Sequence, residues 1–211
     1  MLRDDCVNLI ALRIGNREDL AAAIVAEMQL AQALRMEEAG AFVPWFLETE
    51  MTTTVTTPGD ERILLPSDFL IESEEQSLWR YDAAADQPLF EMKKDSYDVL
   101  VQKYPVPGIP VAYALSANYF LLKPTPDTEY TIKMRYYAKD TVLTSNIENK
   151  WLKYAPDLMI AVVGGVMATQ YLQNQALAAI FQTEEAMARQ RLWTKHEARQ
   201  HVGRTYSMGE E

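Results

Sequence analysis

A single cysteine, Cys6, among 211 residues leaves no partner for an internal disulfide and excludes any cysteine-based zinc cluster. No histidine stands near it in sequence, so it reads as an ordinary apolar thiol in a short helix near the N-terminus. Histidine is almost as scarce: His196 and His201 are five apart, a spacing that puts them on different faces of a helix and spoils them as a zinc pair. Glycine-rich phosphate loops, nucleophile elbows and metal-ligand helices do not occur in the sequence, so no catalytic residue, metal or cofactor is expected. Positive charge is also in short supply. Twenty Lys and Arg against thirty Asp and Glu give a formal charge of −10, which argues against gripping phosphate backbones, since that needs many basic contacts. The apolar run from Leu158 to Thr169 is well short of the roughly 20 residues a bilayer crossing requires. The start, MLRDDCVNLIALRIGN, carries charge on both sides of a short apolar run and shows no cleavage pattern, so secretion by a signal peptide is not expected.

With 48% hydrophobic residues, the chain has enough material for a full core. Residues 4 to 39 read as helix, broken near Gly15, with Asn16 as cap of the second segment, a stripe of Leu20, Ile24, Met28, Ala31 and Leu34, and a stop at Gly40. Pro44 ends helical character and leaves Phe42, Trp45 and Phe46 as an aromatic plug. From Glu48 the period changes to two. Met51 to Thr57 and Glu61 to Leu65, around Pro58-Gly59-Asp60, read as a hairpin, and Pro66 to Phe69 as a turn. Leu78 to Tyr81, Leu89 to Met92, Val111 to Ser116 and Tyr119 to Leu122 read as further strands, and Asp95 to Lys103 as one short helix capped by Asp95 or Ser96. The best strand is Glu129 to Tyr137, where Tyr130, Ile132, Met134 and Tyr136 alternate with Glu129, Thr131, Lys133 and Arg135. With the turn at Ala117 and Asn118 between Val111 to Ser116 and Tyr119 to Leu122, and the next reversal at Pro124 to Asp127, this last strand and the two before it predict a β meander.

Trp151 to Leu172 reads as the central core helix, with Pro156 in a first turn and Leu158, Ala161, Val162, Gly165, Ala168 and Leu172 on a narrow face of mostly small residues. Gly164 and Gly165 each cost roughly 1 kcal/mol relative to Ala in a helix, which predicts that another backbone passes close by. Asn174 can cap a last long helix from Gln175 to about His201. Its end carries Arg189, Arg191, Lys195 and Arg199, followed by Arg204, against only Glu197. Those cations suit either a helix C-terminus or a docked partner. Residues 203–211 have too little apolar content to hold themselves down alone. The fold class predicted is α+β: a helical bundle of residues 1–47 and 139–202, an inserted antiparallel β-rich domain over 48–138, and a tail.

The succession Leu65-Pro66-Ser67-Asp68-Phe69, a β-region ending in Tyr136-Tyr137-Ala138-Lys139, Asn146 to Trp151, and Tyr154-Ala155-Pro156-Asp157-Leu158 opening a helix resembles the head-to-tail adaptor proteins of tailed bacteriophages. The nearest group named by that resemblance is the tail tubular protein A-like adaptors of short-tailed phages. It implies a non-enzymatic virion component of the neck, assembled in the host bacterial cytoplasm. It also implies a self-associated ring, expected to be twelve-fold, that sits beneath the portal and extends the channel to a tail or nozzle protein. Double-stranded DNA would pass through without specific binding, and no membrane anchor is implied. Arg191, Lys195, Arg199, Arg204 and Tyr206 are the residues expected to meet the portal. Two alternatives stand beside it. One is a virion-associated cell-wall hydrolase using an acidic pair such as Glu72 and Glu75, although the acidic pairs, Asp4 with Asp5 and Glu48 with Glu50 among them, read as solvated surface. The other is a different ring-forming tail completion protein or a tail terminator.

Overall fold

The computed structural model describes residues 1–37, 42–49, 52–73 and 77–201. The chain is α+β and divides into two compact units, Met1–Leu47 with Lys139–Glu211, and Glu48–Ala138.

In the first unit, α1 (Arg3–Arg13) is closed by residues that the sequence assigned to the opening of the next helix. Gly15 (φ 100°) and Asn16 (φ 57°) both take left-handed backbone, and the Gly15 and Asn16 N–H groups donate to the Leu12 carbonyl while Arg17 N–H donates to that of Ala11. Asn16 is therefore part of the C-terminal stop of α1, not a cap of α2. A 3-10 turn (Glu18–Leu20) starts α2 (Ala21–Ala31) instead, and a π-helical turn (Gln32–Met36) extends it. Ile24, Met28 and Ala31 are buried as the stripe requires, whereas Leu34 is 63% exposed because the wider π turn rotates it out of register. The stop expected at Gly40 lies outside the described residues.

The central helix starts at Pro156, as its place in a first turn suggests, and the residues before it form a separate short helix. Pro156 has no N–H to continue the ladder, so α4 (Lys150–Tyr154) ends at Ala155 and α5 (Pro156–Val166) begins anew, followed by a second π turn (Met167–Tyr171). Its apolar face is not narrow. Met159, Ile160, Val163, Val166 and Met167 are buried along with the expected Leu158, Ala161, Val162 and Ala168, while Gly165 and Leu172 are half-buried, so α5 is enclosed nearly all round. The reason for Gly164 also differs from expectation: a Cβ there would lie 2.4 Å from Cε1 of Phe181, so a side-chain ring, not a backbone, occupies the space. That ring belongs to α6 (Gln175–His201), whose Asn174 cap accepts from Leu177 N–H at 3.0 Å as the sequence foretells. Arg13 joins the first helix to the last. Its guanidinium sits 4.8 Å over the Phe181 ring and 2.5 Å from Glu184.

In the second unit the strands are β1 (Thr52–Val55), β2 (Arg62–Leu64), β3 (Phe69–Glu72), β4 (Leu78–Asp82), β5 (Gln87–Glu91), β6 (Lys93–Lys94), β7 (Ala112–Ser116), β8 (Tyr119–Lys123), β9 (Thr131–Met134) and β10 (Tyr136–Ala138). They make sheets ordered β1-β9-β4-β5, β10-β3 and β2-β8-β7-β6. Every pairing is antiparallel except β6 with β7. Of the expected meander the first hairpin forms, β7 with β8 across Ala117 and Asn118, but β9 lies in the other four-stranded sheet between β1 and β4 and does not follow β8. The turn at Pro58-Gly59-Asp60 forms, with Asp60 N–H donating to Thr57, but its flanks diverge: Thr54 faces Ile132 in β9, and Ile63 faces Phe120 in β8. Local turn chemistry thus survives while the pairing it suggested does not. The expected strand from Glu129 is interrupted at Arg135, whose N–H leaves the ladder for the Ser77 carbonyl at 2.9 Å. Ile132 and Met134 nevertheless point inward as the alternation requires, with Tyr136 beyond the break. They join Ile63, Leu78, Met92, Tyr113, Phe120 and Leu122 in one core, and α3 (Tyr97–Lys103) closes a smaller one by burying Leu100 against Ala112 and Ala114. Among the described residues, no helix is long and apolar enough to cross a membrane.

Candidate interaction surfaces

Of the aromatic plug, Phe46 is buried core, while Phe42 and Trp45 are half-buried. Phe46 meets Trp151 edge-on at 5.0 Å and stacks on Tyr154 at 5.2 Å, and Phe42 lies 4.8 Å from Trp193 of α6. Trp45 donates its N–H to Nδ1 of the buried His196 at 3.1 Å, so that nitrogen carries no proton in this arrangement. An open groove of about 260 Å3 runs along α6 beside the plug, lined among others by Met36, Phe42, Leu158, Arg189 and Trp193.

A buried polar cluster that sequence reading missed pins the π turn after α2 to the segment leading into α4. Glu37 Oε1 accepts from Trp151 Nε1 at 2.8 Å, from Gln32 Nε2 at 2.9 Å and from Asp140 N–H at 3.2 Å. Asn149 donates to Gln32 Oε1 and to the Thr141 carbonyl while its own Oδ1 accepts from Leu152 N–H, capping α4. Burial pushes the Glu37 carboxyl above its ordinary range, and the hydrogen bonds from Trp151 and Gln32 oppose that without cancelling it. The available signal was Gln32 itself, four residues after Met28 on the core face of a helix.

The expected portal-facing residues are partly separated by the helix. Arg191 is exposed and pairs with Asp157 at 2.8 Å, Lys195 is exposed, and the Arg199 guanidinium lies 4.7 Å over the Trp45 ring. Arg204, Tyr206 and the remaining tail lie outside the described residues. So do Glu50 and Glu75, and Glu72 spends one carboxylate oxygen on Lys94. Among the described residues, no group of three or more His, Cys, Asp or Glu is placed to hold a metal ion. Burial pushes the Cys6 thiol up to about 12, far from the range of a nucleophile.

Charge is unevenly shared. Residues 48–138 carry fifteen acidic and eight basic side chains, a net of −7 within the total of −10. Arg62, Lys94, Lys123, Lys133 and Arg135 each lie against a carboxylate of the same unit, which leaves little positive charge free there for phosphates.

The chain matches the family described as SU10 adaptor protein over residues 2–207, and it belongs to that family. Its role is that of a structural bacteriophage head-to-tail adaptor, a neck component of the virion that meets portal and tail proteins. No curated protein matches the chain.

Proposed function

We propose that the chain acts as one subunit of a closed ring, twelve-fold by the resemblance to tail tubular protein A-like adaptors, assembled in the host cytoplasm beneath the portal. The ring extends the DNA channel toward a tail or nozzle protein and passes the genome during ejection. The observation that carries this reading is the family match across nearly the whole chain. Physical features support it. A heterologous ring needs two different complementary surfaces on each protomer, closing when the rotation divides evenly. α6 offers one outward row free of charge, Ile180, Thr183, Met187, Gln190 and Thr194, all exposed at helical spacing, while Leu12 and Leu34 supply exposed apolar contacts on other helical segments. The acidic β unit supports a channel in which DNA slides because few unpaired cations can hold it.

Portal contact is assigned to Arg191, Lys195, Arg199, Arg204 and Tyr206. Co-sedimentation with purified portal tests it. The unaltered chain is expected to travel with the portal, and Arg191→Glu, Lys195→Glu and Arg199→Glu together are expected to abolish this; a chain that never travels with the portal refutes the reading. Deleting residues 203–211 is expected to lower incorporation into portal-bearing heads, and unchanged incorporation would remove the tail from the contact.

A further inference from the structure

A second groove, of about 510 Å3, opens between α2 with its π turn and the residues around Asp140 that lead toward α4. That volume falls within the roughly 300–1,000 Å3 of ordinary ligand pockets. Leu30, Ala33 and Val142 give it apolar walls, all three exposed. Its floor is acidic. Glu37 is only 7% exposed, and the three donors that hold it, from Trp151, Gln32 and the Asp140 backbone, all converge on Oε1. Among the described residues no donor reaches Oε2. Glu72 Oε1 is the one fully buried side-chain atom left without a partner among those residues, so Glu37 Oε2 is not sealed off and faces the groove that its residue lines. Asp140 stands beside it in the lining, its two oxygens accepting backbone N–H groups of Thr141 and Trp151. Lys139, the cation in the same lining, is exposed and pairs with neither carboxylate.

We propose that this groove receives an arginine side chain of a neighbouring neck protein, with the stem along Leu30, Ala33 and Val142 and the guanidinium on Glu37 Oε2 and the Asp140 carboxylate. Charge complementarity selects that occupant. A floor of acceptors repels an anion and leaves a purely apolar group facing a desolvated carboxylate. A guanidinium is weakly hydrated and carries five donors in a fixed fork, which suits a part-buried pair of carboxylates better than a compact ammonium does. Its three methylenes cover apolar wall while the head meets the acids. Burial holds the Glu37 carboxyl above its ordinary range, and a cation on Oε2 supplies the counter-charge that the chain itself does not place there. The site belongs to the single chain and holds whether or not a ring closes.

The test is indole N–H NMR of the isotope-labelled full chain titrated with N-acetyl-arginine amide. Trp151 Nε1 touches Glu37 Oε1 and therefore reports on the floor of the groove, and Trp151→Phe identifies its resonance. A saturable shift in the millimolar range is expected. N-acetyl-citrulline amide, of nearly the same shape without the charge, is expected to leave the resonance in place. Glu37→Gln keeps an acceptor for the indole and is expected to weaken binding by about tenfold or more, the size of one lost charge-assisted contact. Ala33→Phe fills the groove from an exposed position and is expected to abolish binding with the indole resonance intact. The proposal is overturned by an arginine amide that shifts nothing, by a citrulline amide that binds equally, or by either variant binding as the unaltered chain does. Tighter binding of putrescine than of the arginine amide would give the groove to a free polyamine and overturns it equally.

Discussion

Adding one methyl group at Gly164 and, separately, at Gly165 isolates the packing that holds the last helix onto the core. The two glycines are adjacent in α5, so substitution by alanine brings each the same helix-propensity gain of about 1 kcal/mol. Their surroundings differ. At Gly165 the new methyl meets Phe181 Cβ at 3.6 Å, an ordinary contact, whereas at Gly164 it meets Cε1, Cζ and Cδ1 of the same ring at 2.4, 2.5 and 2.7 Å. Phe181 is 1% exposed and has Arg13 above it, so the ring cannot retreat without moving its neighbours. Overpacking of this kind costs about 1–3 kcal/mol, and because the propensity gain cancels between the variants, that is the expected stability difference between them. In thermal unfolding followed by helical circular dichroism, Gly165→Ala should melt higher than Gly164→Ala by roughly 2–12 °C, at about 2–4 °C per kcal/mol for a chain of this size. Phe181→Leu in the Gly164→Ala background should recover part of the loss, and a double-mutant cycle should return a coupling of at least about 0.5 kcal/mol. Equal melting temperatures, or strict additivity, would refute the packing described.

Further outcomes follow from three single side chains. Glu37→Ala leaves Trp151 Nε1 without its acceptor and should cost about 1–3 kcal/mol, whereas Glu37→Gln keeps an oxygen there and should cost much less. Because the folded-state pKa of Glu37 lies above its unfolded value, ionisation opposes folding: the unaltered chain loses stability from this site as pH rises through the folded pKa and regains it as pH falls toward the unfolded one. Glu37→Gln should flatten that part of a stability-against-pH curve. Cys6, raised from 9.0 to about 12, holds about a thousandfold less thiolate than an ordinary thiol, so maleimide should label it fully in urea and negligibly in the folded chain at pH 7. Asn174→Ala removes the cap at Leu177 N–H and should cost about 1 kcal/mol in denaturant unfolding.

How far the sequence disclosed this fold depended on how local each signal was. The Asn174 cap, the Pro156 start, the turn at Ala117 and Asn118 and the alternation through Ile132 and Met134 are decided by neighbours a few residues away, and they appear as read. Strand partners are decided by residues far apart in the chain, which is why Thr52–Val55 pairs with β9 and not across its adjoining turn. β3 and β6 are short and carried no clear alternation to find. The surfaces were harder still. A run of basic residues is visible in sequence, but that Arg191 answers Asp157 while Arg199 covers Trp45 depends on which side of α6 meets the core. The Glu37 cluster was hidden because polar residues in an apolar stripe look like errors of register until their partners from residues 140–151 are in place.

The adaptor role is tested most directly by electron microscopy of the purified chain mixed with portal rings. A second, closed ring of this chain stacked coaxially on one end of the portal is the predicted image. Bare portals beside unattached chain, at concentrations where both are intact, would contradict it.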